Sequence, residues 1–286
     1  MPELNKKTIG KEYPPFEVDV KQHETIYYAL ATNDPNPWYI NGSREGGVIA
    51  PPMYSVAYGG GSIASLFFDK EVGEGFMATL VHGEQEIEWY RVARPGQNMS
   101  TTAKVLNIED KGSGELLSAE VNTKDKDSGE AVCRQVYKFF VRGWGSGEKK
   151  EKQPEPEEDK SNVAFEAKEN VMMGQSYAYA EPSGDHNPIH VNEEFANKVG
   201  LGGIILQGLC TMAFCHKAVV QNIGGGDPTK ISKFSVRFSK PVRPGDELTI
   251  KGWWIEKDKK LGFEATNQGG DFVIKNGRAE VGEIKT

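Results

Sequence analysis

The chain has 286 residues, a formal net charge of −7, 37% hydrophobic residues and 26% charged ones. No basic block exceeds two residues, which argues against a nucleic-acid partner, and no apolar stretch is long enough for a membrane-spanning helix. The three cysteines, Cys133, Cys210 and Cys215, are too scattered for a disulfide framework or a zinc site. With no apolar leader at the N-terminus, these features predict a reduced, cytoplasmic protein.

In chain order, the first motif is Tyr28-Ala-Leu-Ala-Thr-Asn-Asp34-Pro-Asn36-Pro37-Trp-Tyr39, followed by Gly46-Gly-Val-Ile-Ala-Pro-Pro52-Met. Next comes Gly59-Gly60-Gly61, which costs about 1 kcal/mol per glycine in a helix interior and predicts a break in the first half's central helix. Such a break would leave room for a bulky ligand. Val92-Ala-Arg94-Pro95-Gly96-Gln then reads as a turn. Residues 145–162 are charged and Pro-containing, with no large apolar side chain, and predict a solvated linker between domains 1–144 and 163–286.

The second half repeats the first. Tyr179-Ala-Glu-Pro-Ser183-Gly184-Asp185-His186-Asn187-Pro188-Ile189-His190 matches the first motif at an offset of 151 (Asp34 to Asp185). Gly202-Gly-Ile-Ile-Leu-Gln-Gly208-Leu matches the second at 156 (Pro52 to Gly208), and Pro241-Val-Arg243-Pro244-Gly245-Asp matches the turn at 149 (Arg94 to Arg243). Three matches in one order predict a duplicated domain. In the second copy the pattern predicts a short helix at 193–199, a buried helix from Gly208 to about Gln221, and strands at 231–240, 247–256, 261–267 and 272–281. Pro244-Gly245 is the predicted turn between the first two strands. A helix followed by an antiparallel meander packs most economically with the sheet wrapped around the helix. Two such units can join their sheets edge to edge.

Ser183-Gly-Asp185-His-Asn187-Pro-Ile-His190 carries the chemistry. The Asn-Pro turn brings Asp185 and His190 together on one loop outside the core, with Gly184 easing the turn before the acid. A carboxylate beside an imidazole can activate water and relay a proton. Gly208 opens a helix whose unpaired N–H groups suit an oxygen that gains negative charge. In the first half Tyr39 stands in place of His190, and Pro52, which has no N–H, in place of Gly208. One active site per chain is expected, with the first half as a scaffold and Asp34 in a capping role. His216 reads as a satisfied core histidine, and His82 and His23 have no partner motif.

These residues resemble the MaoC-like family of (R)-specific enoyl-coenzyme A hydratases (hydratase 2) in their double-hot-dog form. The resemblance covers Tyr179 through Leu209 and the Pro241–Asp246 turn. It implies an α+β fold of two tandem hot-dog domains, and a hydro-lyase that hydrates a trans-2-enoyl thioester or dehydrates the (R)-3-hydroxyacyl product. It assigns Asp185 and His190 to water activation and the Gly208 N–H to the thioester carbonyl, with Asn187, Gly184 and Ser183 in support. It implies no metal or redox cofactor, since coenzyme A arrives as part of the substrate. An acyl-coenzyme A thioester is then the partner, and a homodimer is compatible with the arrangement. Asn192, Pro182 and Ile204 depart from the family pattern without removing a catalytic group. A hot-dog thioesterase and a non-catalytic acyl-thioester-binding subunit are the alternatives.

Overall fold

The computed structural model describes residues 1–148 and 158–286, so half of the expected linker, 149–157, lies outside the described residues. The first half runs β1 (Phe16–Asp19), α1 (Gln22–Ala31), α2 (Pro37–Ile40), α3 (Ser55–Phe67), β2 (Leu80–Trp89), β3 (Asn98–Asp110), β4 (Gly114–Asp125) and β5 (Ala131–Arg142). The second runs β6 (Val163–Asn170), α4 (Gln175–Ser183), α5 (Pro188–Val191), α6 (Glu193–Lys198), α7 (Gly208–Asn222), β7 (Ile231–Phe238), β8 (Glu247–Glu256), β9 (Lys260–Asn267) and β10 (Phe272–Val281). Among the described residues no helix is long and apolar enough to cross a membrane.

All ten strands form one antiparallel sheet in the order β1-β3-β4-β5-β2-β7-β10-β9-β8-β6. The order reads as two five-strand units related by a two-fold through the β2–β7 seam, where Ile87 lies opposite Phe234. This is the tandem hot-dog architecture. On the same pseudo-axis the hydroxyls of Tyr28 and Tyr179, equivalent residues of the repeat, meet at 3.4 Å. Both rings are fully buried, and one continuous apolar core draws on both halves.

The core follows from the sequence pattern. Helix α7 buries Cys210, Met212, Ala213, Phe214, Cys215, Ala218, Val219 and Val220, so it is enclosed on most sides. A large apolar side chain buried this fully contributes about 1.5–3 kcal/mol. Strands β8 and β10 occupy the expected ranges, and Gly245, at φ +90°, makes the turn between β7 and β8.

One expectation fails. Helix α3 continues unbroken through Gly59, Gly60 and Gly61. The glycines answer to close packing. A Cβ on Gly59 would lie 2.7 Å from Gln135 Nε2, and one on Gly61 would lie 2.5 Å from the Phe16 ring, whereas one on Gly60 would meet nothing. The close approach outweighs the propensity cost. Gly60→Ala should therefore stabilise the protein by about 0.5–1 kcal/mol. Gly59→Ala should destabilise it by about 1–3 kcal/mol, because Gln135 would have to leave its hydrogen bond to Ser55 O. Urea denaturation of the two variants checks this. Shifts of the same sign would refute the packing explanation.

Candidate active site

Helix α4 ends at Gly184, whose φ of +73° gives the left-handed C-cap. The chain then turns through Asp185 and His186, and Asn187 caps α5 by accepting from Ile189 N–H at 3.3 Å. Ser183 Oγ donates to Tyr179 O and accepts from Asp185 N–H at 3.2 Å, and Asp185 Oδ1 accepts from Asn187 N–H at 3.3 Å. Ser183, Gly184 and Asn187 thus set the path of the loop that carries the acid.

His190 departs from its expected setting. It lies in the short helix α5 rather than on a loop, and it is buried, with 8% of its surface exposed. Helix α5 is a single turn begun by Pro188, which favours a first helical position and has no N–H to lose. Asp185 is half-buried, on the loop.

His190 Nδ1 lies 2.8 Å from Ile205 O. A carbonyl only accepts, so Nδ1 carries a proton, and in the neutral ring Nε2 is an acceptor. Nε2 faces Asp185 Oδ2 across 3.9 Å, too far for a direct hydrogen bond. Two acceptors at this spacing fit one bridging water that donates to both. Such a water would keep its lone pairs free for attack.

The Gly-rich loop that supplies Ile205 O is held from several sides. Arg243 donates to Leu201 O and to Gly202 O, Glu193 Oε2 accepts from Ile204 N–H at 3.2 Å, and Leu206 N–H donates to Val242 O at 2.8 Å. Gly203, at φ +116°, takes a conformation that side chains disfavour. Helix α7 then starts at Gly208, whose N–H has no hydrogen-bond acceptor among the described residues. A Cβ on Gly208 would lie 3.1 Å from the Phe238 ring. Phe238 in turn packs edge-on against His82 at 5.0 Å. His82 accordingly belongs to the wall beside the helix start. Burial pushes its pKa down to about 4, so it is neutral there.

His216 packs between Trp89 and Phe234, and burial lowers its pKa to about 3. It is a core histidine, but its Nε2 has no partner among the described residues, contrary to the expectation of a satisfied one. The ring stays because it fills space between two aromatics.

The first-half copy is closed. Tyr39 is fully buried, and Pro52 offers only its carbonyl, which accepts from Trp89 Nε1. Asp34 is 6% exposed, and its Oδ1 has no partner among the described residues. Burial raises its pKa to about 6, opposed by Lys217, which is itself paired with Glu169. Because the folded-state value exceeds the ordinary 3.8, the folded protein holds the Asp34 proton more tightly than the unfolded chain does. Stability from this group falls as pH rises from about 4 to about 6 and stays lower above that. Asp34→Asn should raise stability by about 1–3 kcal/mol at pH 7.5, give no gain near pH 4, and leave turnover nearly intact. Thermal melts and initial rates check this. A loss of turnover as large as that of an Asp185 variant would mean two working sites.

Sequence reasoning passed over Ile205, Arg243 and Gln207. Ile205 acts through its backbone carbonyl, which any residue supplies, and Arg243 acts through its side chain on the distant carbonyls of Leu201 and Gly202. Gln207 is fully buried, and its amide Nε2 donates to Asp185 O at 3.2 Å and to Ser176 O at 3.0 Å. The signal that could have singled it out was the repeat itself, which puts Pro51 at this place in the first half.

Comparison with known proteins gives a consistent picture. The MaoC like domain matches residues 155–272, and the MFE-2 hydratase 2 N-terminal domain matches residues 18–143. Probable enoyl-CoA hydratase 2 of Dictyostelium discoideum is 29% identical, over 98% of this chain and 97% of its own. 3-Hydroxyacyl-thioester dehydratase Y of Mycobacterium tuberculosis is 30% identical, over 73% of this chain and 75% of its own. The peroxisomal enoyl-CoA hydratase 2 of Arabidopsis thaliana is 31% identical, over 61% of this chain and 60% of its own. The crystal structure of a MaoC-like dehydratase from Phytophthora capsici superposes with a TM-score of 0.83 at 25% identity, covering 98% of both chains. A Mycobacterium tuberculosis protein with a double hotdog fold shares the fold at 11% identity and a TM-score of 0.62, over 98% of this chain and 97% of its own.

The expectation of a cytoplasmic protein is overturned here. The Arabidopsis relative is peroxisomal, and so are the matching multifunctional enzymes of mouse and Drosophila. Cysteine usage reports redox conditions, which more than one compartment shares. The chain spans 37% of the length of the mouse enzyme.

Proposed function

Since the chain belongs to the MaoC-like hydratase family (hydratase 2) in its double-hot-dog form, we propose that it adds water to a trans-2-enoyl-coenzyme A thioester to give the (R)-3-hydroxyacyl thioester, and catalyses the reverse dehydration. A hydro-lyase reaction on acyl-coenzyme A thioesters follows from the family. The stereochemistry and the residue roles are the finer reading. Residues 1–144 and 163–286 are the two hot-dog units in this reading, joined through 145–162, with the second unit catalytic.

The observation that carries it is the pair of acceptors, Asp185 Oδ2 and His190 Nε2, facing one another across 3.9 Å. Asp185 takes a proton from the bridging water as its oxygen bonds to the β-carbon. The electron pair of the double bond moves onto the thioester carbonyl, where the Gly208 N–H meets the growing negative charge. His190 Nε2 takes the water's other proton and delivers it to the α-carbon, which restores the carbonyl, and Asp185 returns its proton to the new 3-hydroxyl oxygen. Water and proton come from the same face of the enoyl plane, so addition is syn. A lost oxyanion donor commonly costs about 3 kcal/mol. The thioester is its own electron sink, and the balance closes with substrate and water alone.

The test is loss of the conjugated enoyl thioester absorbance on adding enzyme, across short, branched, aromatic and long acyl groups. Coupling the product to (R)- and (S)-specific 3-hydroxyacyl-coenzyme A dehydrogenases reads its hand. Release of free coenzyme A thiol would instead identify a thioesterase. Binding without any change in the thioester would identify a non-catalytic subunit.

A further inference from the structure

The two copies of the repeat separate what the fold needs from what the second half alone possesses. Arg94 donates to Gly46 O, as Arg243 does to Leu201 O and Gly202 O. Asn36 accepts from Trp38 N–H at 3.1 Å, as Asn187 does from Ile189 N–H at 3.3 Å. These shared features shape the loops in both copies, and the closed first copy keeps them. His190, Gly208 and Gln207 have no counterpart, because Tyr39, Pro52 and Pro51 stand in their places.

Gln207 is an odd choice for packing. Its side chain is fully buried, and while Nε2 is used twice, Oε1 has no partner among the described residues. A half-satisfied buried amide is costly. Its donor end touches two backbone carbonyls, Ser176 O in α4 and Asp185 O in the acid loop, 31 and 22 residues away in the chain. The next residue is Gly208. One side chain therefore joins the backbone of the water-activating acid to the start of the helix that offers the carbonyl-binding N–H.

We propose that Gln207 is a positioning residue for hydration: its amide clamps the Asp185 backbone against the start of α7 and fixes the acid relative to the Gly208 N–H. The proposal rests on the hydratase reading above. In near-attack geometry, a displacement on the order of 1 Å costs about 10²-fold in rate.

The experiment compares Gln207→Met, Gln207→Glu and Gln207→His with the wild-type full-length protein, and with Asp185→Asn as the inactive reference. Met keeps the length and removes the amide. Glu keeps the shape and at neutral pH replaces the donor with an acceptor, so it serves where Met disturbs packing. His retains an N–H donor of similar reach. Single-turnover rate constants, with enzyme in excess over a trans-2-enoyl-coenzyme A, do not depend on the folded fraction, so a purely structural role leaves them unchanged. Met and Glu should slow the chemical step by about 10- to 100-fold, with half-saturation changed less than about threefold, and His should stay within about fivefold of wild type. A folded Met or Glu variant within about twofold of wild type, or a His variant as slow as Met, overturns the positioning role while Asp185→Asn still upholds the hydratase reading. A wild-type protein that hydrates no enoyl thioester overturns both.

Discussion

Asp185→Asn and His190→Gln should each lower hydration of a trans-2-enoyl thioester by about 10²–10⁴-fold, the usual contribution of a positioned acid–base group. Asn matches Asp in shape but cannot accept the water proton. Gln is the right replacement for His190 because the site is buried and Ile205 O needs a donor. A plain truncation to Ala would leave that carbonyl only the long 3.4 Å bond from Ser176 Oγ, cost about 1–3 kcal/mol, and confuse instability with lost chemistry. Initial rates are read at saturating substrate, with folding followed by circular dichroism. Near wild-type turnover in either folded variant would remove that residue from the mechanism. The double variant should be little slower than the worse single one, since in the proposed mechanism both groups act on the same water.

The second large effect is expected at Gly208. Gly208→Pro deletes the N–H at the start of α7 and should slow the chemical step by about 10²–10³-fold, as for a lost oxyanion donor. Gly208→Ala keeps the N–H. Its methyl would lie 3.1 Å from the Phe238 ring, so Phe238 has to give by a few tenths of an ångström. Ala therefore reports crowding of the wall formed by Phe238 and His82, and should act mainly on half-saturation. Proline at a first helical turn is well tolerated by the backbone, so both variants should fold. Equal slowing of the single-turnover step by Ala and Pro would mean that the carbonyl is held elsewhere.

Much of this architecture could be read from the chain because the repeat is written in local motifs. The offsets near 150 residues locate the halves, and the alternation at 247–256 can be read because buried residues alternate along most of that strand. Strand β6 escaped notice because it is a charged edge strand in which only Phe165 and Glu169 are buried. Helix α4 contains Pro182 and a polar face, which hide its helical period. Helix α5 is a single turn and has no period to detect. In α3 the local signal pointed the wrong way, because tertiary contacts to Gln135 and Phe16 overrode the glycine propensity. The acid and the imidazole could be found from sequence. The 3.9 Å gap between them and the hold of Gln207 on Asp185 depend on residues brought together from 15 to 31 positions apart.

The β2–β7 seam also bears on how such a chain tolerates change. In a two-fold dimer of identical units, every substitution appears twice, on both sides of the axis. A proline that removes an oxyanion donor would then disable both sites at once. Here the two units share one sheet and one core within a single polypeptide, so a substitution appears once. Tyr39 and Pro52 could enter the first copy without touching His190 and Gly208 in the second. Covalent fusion thus lets the two sides of the seam differ: in the proposed mechanism one carries the chemistry, and the other answers only to the weaker demand of keeping its partner folded.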